Sequence, residues 1–118
     1  MKIAIPVDIQ DGQAQVCKAF GRSPYYAIYI TDTKELEFIR NPAITSPGGA
    51  GVQAAQWLVN FKVDIIISPR VGDNAFRVFE SAKITMYEAI EGSVIENVEA
   101  LSLGKLKAIS RSESGLHR

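Results

Sequence analysis

The sequence offers few side chains that could bind a metal or attack a substrate. It contains one cysteine and one histidine, Cys17 and His117. A single thiol excludes an intramolecular disulfide, and two such residues are too few for a tetrahedral zinc site within one chain. His117 lies in a polar terminal stretch, where an imidazole is either a metal ligand or a residue without a role.

Cys17 is the candidate metal ligand. Lys18 is its neighbour and Arg22 is nearby, and cations lower the pKa of a thiol and favour the thiolate that binds metals. The alternative is structural, because an isolated cysteine commonly packs as a small hydrophobic residue. One thiol could bind a corner of a preformed cluster or pair across a dimer axis, but it could not build a cluster alone.

A glycine-rich segment, Gly48-Gly49-Ala50-Gly51, leads into a predicted helix. The free N–H groups and the positive dipole end of such a helix start can bind a phosphate, a carboxylate or a negatively charged cluster. The segment lacks the Lys-Ser/Thr ending of a Walker loop and does not have the GxGxxG spacing, so it gives no support for ATP hydrolysis. The structural alternative is a turn that requires positive φ at a glycine.

The carboxylates bear on a nuclease hypothesis, because metal-assisted phosphodiester hydrolysis needs clustered acids. Asp8 and Asp73 are predicted at one edge of the sheet, whereas the acids predicted at the opposite edge are Glu35, Glu37 and Asp64. This placement argues against a nuclease. Asp73 or Asn74 is instead the predicted N-cap of the second helix, and Arg70 is expected to face the same crevice and to pair with an anion there.

The elements that must position these residues follow the order βββαβαβα. Strands are predicted over 2–7, 23–30, 35–40, 63–67 and 84–87, and helices over 52–60, over 75–82 and after Gly92-Ser93. Short links between the first three strands and right-handed crossovers after them predict an α/β, ribonuclease-H-like fold with a mixed five-stranded sheet in the order 3-2-1-4-5. The switch point beside strand 1 is the default ligand site of such a sheet. The segments expected to reach it are loops 8–14, 41–51, 69–74 and 88–93, and the segment before the second strand that holds Cys17 and Phe20-Gly21-Arg22.

Composition restricts the function classes further. The chain has 118 residues, of which 47% are apolar and 22% charged, and we expect one domain over 1–109 with a polar tail over 110–118. Lys+Arg and Asp+Glu are both 13, so the formal net charge of zero argues against nucleic-acid binding. No apolar run approaches the ~20 residues of a membrane span, and without a signal peptide the expected location is the cytoplasm.

Several blocks of the sequence together resemble a known family. They are MKIAIPV, FGRSPYYAIY, Phe38-Ile-Arg-Asn-Pro42, GGAG, VDIIIS, Met86-Tyr-Glu-Ala-Ile-Glu-Gly92 and Leu103-Gly-Lys-Leu106. In this order, over about residues 1–107, they resemble the dinitrogenase iron–molybdenum cofactor biosynthesis family, which includes the NifX and NafY cofactor carriers and the C-terminal domain of NifB.

The resemblance implies a non-catalytic binder that carries an iron–sulfur or iron–molybdenum cluster between donor and acceptor proteins. It implies a ribonuclease-H-like fold without the nuclease acids. It also implies that the loop with Gly48, Gly49 and Gly51 and the turn with Gly21 and Arg22 line the cluster pocket. Many members carry a histidine directly before the Phe-Gly pair; here that position is Ala19, and the nearest soft ligand is Cys17.

Four hypotheses therefore compete. The first is the cluster carrier, in which glycine-loop amides and Arg22 or Arg70 stabilise the negative charge and Cys17 bonds to iron. The second is a metal-free module that binds a small anion or a nucleotide in the same loop. The third is a phosphodiesterase, and the fourth is a family member that acts only through protein contacts. We expect a monomer or a weak dimer.

Overall fold

The computed structural model describes residues 1–110. The strands are β1 Lys2–Val7, β2 Tyr25–Ile30, β3 Glu35–Arg40, β4 Ile65–Ser68, β5 Thr85–Glu88 and β6 Lys107–Ala108. The helices are α1 Ala50–Asn60, α2 Asp73–Ser81 and α3 Val94–Ser102. The predicted element order is confirmed, with β6 added at its end.

The strands form one mixed sheet in the order β3-β2-β1-β4-β5-β6. β1, β4 and β5 are parallel to one another, whereas β2, β3 and β6 run antiparallel to their neighbours. The predicted order of the first five strands is confirmed, but the predicted count of five was wrong. β6 is a two-residue strand that pairs with Tyr87 and Glu88, and so short a strand has no alternation of apolar and polar residues to reveal it.

Two hydrophobic clusters cover the two faces of the sheet. On one face, α1 and α2 pack on the sheet through a cluster that includes Leu58, Phe79 and Tyr26. On the other face, α3 packs through a cluster that includes Val94 and Ile5. β1 is buried at all its positions after Lys2, as expected for a central strand covered on both sides.

Strands β1 and β4 are paired at only one end. Their ladder joins Ile3 and Ala4 to Ile65 and Ile66 and stops before Pro6, which has no N–H group to donate. The Pro6 carbonyl instead accepts from the amide of Cys17 at 2.8 Å. The carboxyl end of β1 therefore pairs with the segment around Val16, through an antiparallel bridge between Val7 and Val16.

The helix starts differ in their capping. α1 begins at Ala50, earlier than predicted, after Gly49 in the left-handed region at φ 67°, so the predicted need for positive φ in this loop is confirmed at that glycine. The N-cap of α2 is Gly72, with φ −65° and ψ 162°. The predicted cap at Asp73 or Asn74 was wrong, because the Phe76 amide already donates to the Gly72 carbonyl at 2.8 Å.

The predicted cap of α3 is confirmed. The Ser93 hydroxyl accepts from the Glu96 amide at 3.2 Å, and the Glu96 carboxylate accepts from the Ser93 amide at 2.8 Å, which is a capping box. None of the helices within residues 1–110 has the length and apolar character to cross a membrane. His117 lies outside the described residues.

Candidate functional site

A cleft of about 560 Å³ opens at the carboxyl edge of the parallel strands. Three segments form its walls. They are residues 18–22 before β2, residues 49–52 at the start of α1, and residues 70 and 72–75 after β4. These are three of the segments that the sequence places around the switch point, and the structure brings them together there. The predicted loops 8–14 and 88–93 do not line this cleft.

The start of α1 presents backbone donors to the cleft. The first intrahelical hydrogen bond runs from the Gln53 amide to the Gly49 carbonyl at 3.0 Å, so the amides of Ala50, Gly51 and Val52 precede it and have no partner inside the helix. The first turn of α2 borders the same cleft. Two helix dipoles therefore direct their positive ends at one volume.

The segment before β2 lies directly against α1. A Cβ atom added to Gly21 would lie 2.7 Å from both the Cα and the N atoms of Gly51, closer than any side chain can approach a backbone. Gly21 is thus required for a close backbone contact between two walls of the cleft. By contrast, Cβ positions at Gly48, Gly49 and Gly72 face open space.

The charged lining is mainly cationic. Lys18, Arg22 and Arg70 are exposed and line the cleft beside one carboxylate, Asp73. Arg22 donates to the carbonyls of residues 44 and 46 at 3.2 and 2.7 Å and so holds the loop before α1. Across residues 1–110, none of these three cations forms an ion pair.

Cys17 lies behind the cleft wall and is not part of its lining. Its side chain is 9% exposed, and its Sγ donates to the Ala19 carbonyl at 3.7 Å. Burial raises the pKa of the thiol above its ordinary value of 9.0, and the nearby Asp8 carboxylate raises it further. The expected lowering of this pKa by Lys18 and Arg22 was wrong, because removal from water dominates the shift and neither exposed cation contributes to it.

The remaining predicted residues divide into two groups. Gly21, Arg22, Gly49, Gly51 and Arg70 all line the cleft. Gly48 lies outside the lining, where its carbonyl accepts from the hydroxyl of residue 46 at 2.6 Å. Within residues 1–110, no group of three or more His, Cys, Asp or Glu side chains could hold a metal ion.

Sequence reasoning missed Asn41, which follows β3. Its side chain is fully buried, and its Nδ2 donates at 2.9 Å to the carbonyls of both Gly21 and Ser23. Its Oδ1 accepts from the Ala43 amide at 2.8 Å. The only signal in the sequence is an asparagine directly before Pro42, a common turn pattern that does not reveal long-range bonds.

Comparisons with known proteins agree with this architecture. Residues 1–104 match the model of a family described as dinitrogenase iron-molybdenum cofactor. An uncharacterized protein of Methanocaldococcus jannaschii is 31% identical over 110 residues, which cover 91% of this chain and 90% of that protein.

Solved structures show the same fold. The NMR structure of a protein proposed to be NifB, from Thermotoga, has a TM-score of 0.79 at 33% identity and covers 91% of both chains. The apo orange protein of Desulfovibrio gigas has a TM-score of 0.87 over 92% of both chains, but at 24% identity it shows the fold alone. With its sequence match running from β1 to the end of α3, the chain belongs to the dinitrogenase iron–molybdenum cofactor family.

Proposed function

We propose that this chain is a non-catalytic carrier that binds an iron–sulfur or iron–molybdenum cluster as its cargo in the cleft. The observation that supports this most is the lining itself, in which three cations that form no ion pair within residues 1–110 and two helix starts surround one volume. Such clusters are commonly anionic, and their sulfur atoms accept hydrogen bonds from backbone amides. Family membership supports the same cargo.

Two glycines of the lining have distinct parts in this proposal. At Gly49 no side chain stands over the start of α1, so an anion can approach the helix amides closely. Gly21 permits the contact that closes one side of the cleft. Arg70 and Lys18 then supply charge at the rim, where long side chains can adjust to cargo of different shape.

A carrier must also release its cargo to other proteins. We propose cluster donor and acceptor proteins as its partners, the cytoplasm as its location and a monomer or weak dimer as its form. Direct ligation by Cys17 stays a prediction; it would require the thiol to leave its contact with the Ala19 carbonyl. The amide-lined cleft needs no such bond, because an intact cluster can be held by charge and hydrogen bonds.

The acids of the chain support a non-catalytic role. Asp8 and Asp73 are exposed at the edge that carries the cleft, and only Asp73 is in its lining. At the opposite edge, Asp64 accepts from the Lys2 amide at 2.9 Å, and Glu35 pairs with Ile30. Two-metal hydrolysis needs acids at one point, so we propose no nuclease activity. The ribonuclease-H-like classification stays a prediction.

A second candidate function is a metal-free module that binds a small anion or a nucleotide. The observation that favours it is that the cleft lining, within residues 1–110, contains neither a thiol nor an imidazole. A thermal-shift screen against phosphate, molybdate and nucleotides tests it, because a ligand of the native state raises the melting temperature by mass action.

The direct test of the carrier is anaerobic incubation with a preformed [4Fe–4S] cluster carrying 2-mercaptoethanol ligands, and separately with iron and sulfide. Bound iron per chain and the visible absorption spectrum are compared for wild type, Cys17→Ala, Arg70→Gln and Arg77→Gln. Arg77 is a matched control, since it is an exposed arginine of α2 outside the cleft.

We expect stoichiometric uptake by wild type, binding weakened severalfold in Arg70→Gln, and wild-type behaviour in Arg77→Gln. Loss of uptake in Cys17→Ala would establish the thiol as a ligand. No uptake by wild type would overturn the carrier function and put the metal-free module first.

A further inference from the structure

Two successive backbone carbonyls in the segment before β2 accept hydrogen bonds from buried side chains. The Phe20 carbonyl accepts from the Tyr26 hydroxyl at 2.5 Å, and the Gly21 carbonyl accepts from the Asn41 side chain at 2.9 Å. Both donors are completely buried. Two adjacent peptide units therefore have their oxygen atoms fixed towards the core.

The planar trans peptide determines where the matching N–H groups point. In a trans unit, C=O and N–H lie on opposite sides, and the described residues contain no cis peptide. Fixing the oxygens of Phe20 and Gly21 towards buried donors turns the amides of Gly21 and Arg22 away from the core. Both residues line the cleft, and neither amide has a hydrogen-bond acceptor within residues 1–110.

Gly51 extends this row of donors. Gly21 is in backbone contact with Gly51, whose amide belongs to the unpaired first turn of α1. Donors from two separate segments thus border one another. Successive main-chain N–H groups with this arrangement form the kind of concavity that binds anions.

We propose that Asn41 is a positioning residue of the cleft, which acts with Tyr26 to hold the amides of Gly21 and Arg22 towards anionic cargo. This inference rests on the proposed function, because it explains how the same cleft is organised. Asn41 touches no cargo itself. Its two donated hydrogen bonds, to Gly21 and Ser23, and its one accepted bond, from Ala43, fix the turn in the absence of any ligand.

The chain provides a close internal control in Asn97. It too is completely buried, and its Nδ2 donates to the carbonyls of Ile90 and Ser93 at 3.1 and 2.9 Å while its Oδ1 accepts from the Ile90 amide at 2.9 Å. Asn97 lies on α3, and neither it nor its partners line the cleft. Asn41 and Asn97 therefore match in burial and bonding but differ in what they hold.

The experiment compares Asn41→Asp with Asn97→Asp. In each variant the side chain keeps its shape and the oxygen that accepts a hydrogen bond. The Nδ2 group, which donates to two backbone carbonyls, is replaced by a carboxylate oxygen that repels them. Melting temperature is measured alongside the dissociation constant for the preformed [4Fe–4S] cluster. We expect both variants to melt at lower temperature, and only Asn41→Asp to bind the cluster about tenfold more weakly or worse, since bonds from correctly placed amides to a charged group are lost.

Tyr26→Phe is the second variant, and it decides the question if Asn41→Asp does not fold. It removes only the hydroxyl that donates to the Phe20 carbonyl, which also accepts from the Ser23 amide at 3.5 Å. Tyr29→Phe on the neighbouring part of β2 is its control. We expect Tyr26→Phe to bind the cluster severalfold more weakly than wild type and Tyr29→Phe to bind it as tightly as wild type.

The outcomes separate the two proposals. If wild type binds the cluster and the Asn41 and Tyr26 variants bind as their controls do, the positioning role is overturned and the carrier function stands. If wild type does not bind the cluster, both are overturned. Equal weakening in Asn41→Asp and Asn97→Asp would show a general effect of stability and would also overturn the positioning role.

Discussion

At the scale of single residues, Cys17 illustrates how burial decides the chemistry of a side chain. Its two cationic neighbours in sequence, Lys18 and Arg22, are exposed at the cleft, whereas its thiol is turned inward to the Ala19 carbonyl. The thiol is therefore protonated at neutral pH, and in that form it is a weak nucleophile and a weak metal ligand.

This protonation state predicts the pH dependence of alkylation. The pKa of Cys17 is raised above 9.0 in the folded protein, so the thiolate fraction at pH 8 is smaller than in the unfolded chain. We expect iodoacetamide to label the native protein severalfold more slowly than the urea-unfolded protein at pH 8. The difference between the labelling rates of the native and the unfolded protein should become smaller as pH rises through the folded-state pKa of the thiol.

The same shift affects stability in a defined direction. A thiol whose folded-state pKa is raised contributes fully to stability below its unfolded value, and this contribution is lost as pH rises through the higher folded value. Cys17→Ala should remove that part of the decline in unfolding free energy above pH 9.0.

The labelling experiment has a clear contrary outcome. If iodoacetamide labels the native protein at pH 8 as fast as it labels the protein in urea, Cys17 is not a buried, protonated thiol.

At the scale of elements, the cleft depends on how closely the segment before β2 approaches α1. The contact between Gly21 and Gly51 has no room for a side chain on the Gly21 side. On the Gly51 side, an added Cβ would meet only the Ala75 Cβ at 3.8 Å, which is an ordinary contact. The two glycines therefore touch each other but differ in their tolerance to substitution.

We expect Gly21→Ala to lower the unfolding free energy by about 1–3 kcal/mol, the usual cost of overpacking. Gly51→Ala should be neutral or stabilising by up to about 1 kcal/mol, because alanine is favoured over glycine in a helix. Urea titrations of the two variants measure this difference. Equal stabilities would show that the backbone contact is looser than the structure describes.

The elements also show what the sequence could and could not predict. β1, with apolar and β-branched residues along Lys2–Val7, and the cap at Ser93 both follow from local patterns, and both are confirmed. β6 was missed because its pairing with β5 is a long-range contact of two residues. The hydrogen bonds of Asn41 were missed for a similar reason, since its partners Gly21 and Ser23 lie about 20 positions earlier in the chain.

At the scale of the whole molecule, the zero formal net charge hides an uneven distribution. Lys18, Arg22 and Arg70 lie together at one edge of the sheet, with Asp73 as the carboxylate of the same lining. A local positive field can attract an anion even when the total charge is zero. The composition argues against a nucleic-acid surface but does not reveal this local excess.

Cargo binding should therefore weaken as salt is added. Exposed charges are screened over about 10 Å at 0.1 M and about 3 Å at 1 M ionic strength. We expect the dissociation constant for the [4Fe–4S] cluster to rise severalfold over that range in wild type and to change less in the Lys18→Gln/Arg70→Gln double variant. A salt-independent constant in wild type would show that exposed charges contribute little to binding.

The use of main-chain N–H groups in the cleft has a consequence for how this protein can evolve. A substitution at Ala19 or Val52 changes a side chain but leaves the peptide N–H in place, so under the proposed function the lining can change in sequence and still bind an anion. Under the proposed function, constraint falls instead on Gly21 and Asn41, which fix the path of the backbone and whose side-chain positions present no group to the cargo. Paralogues of this chain could thus change the exposed side chains around the cleft, and with them the preferred cargo, and keep the same main-chain N–H donors.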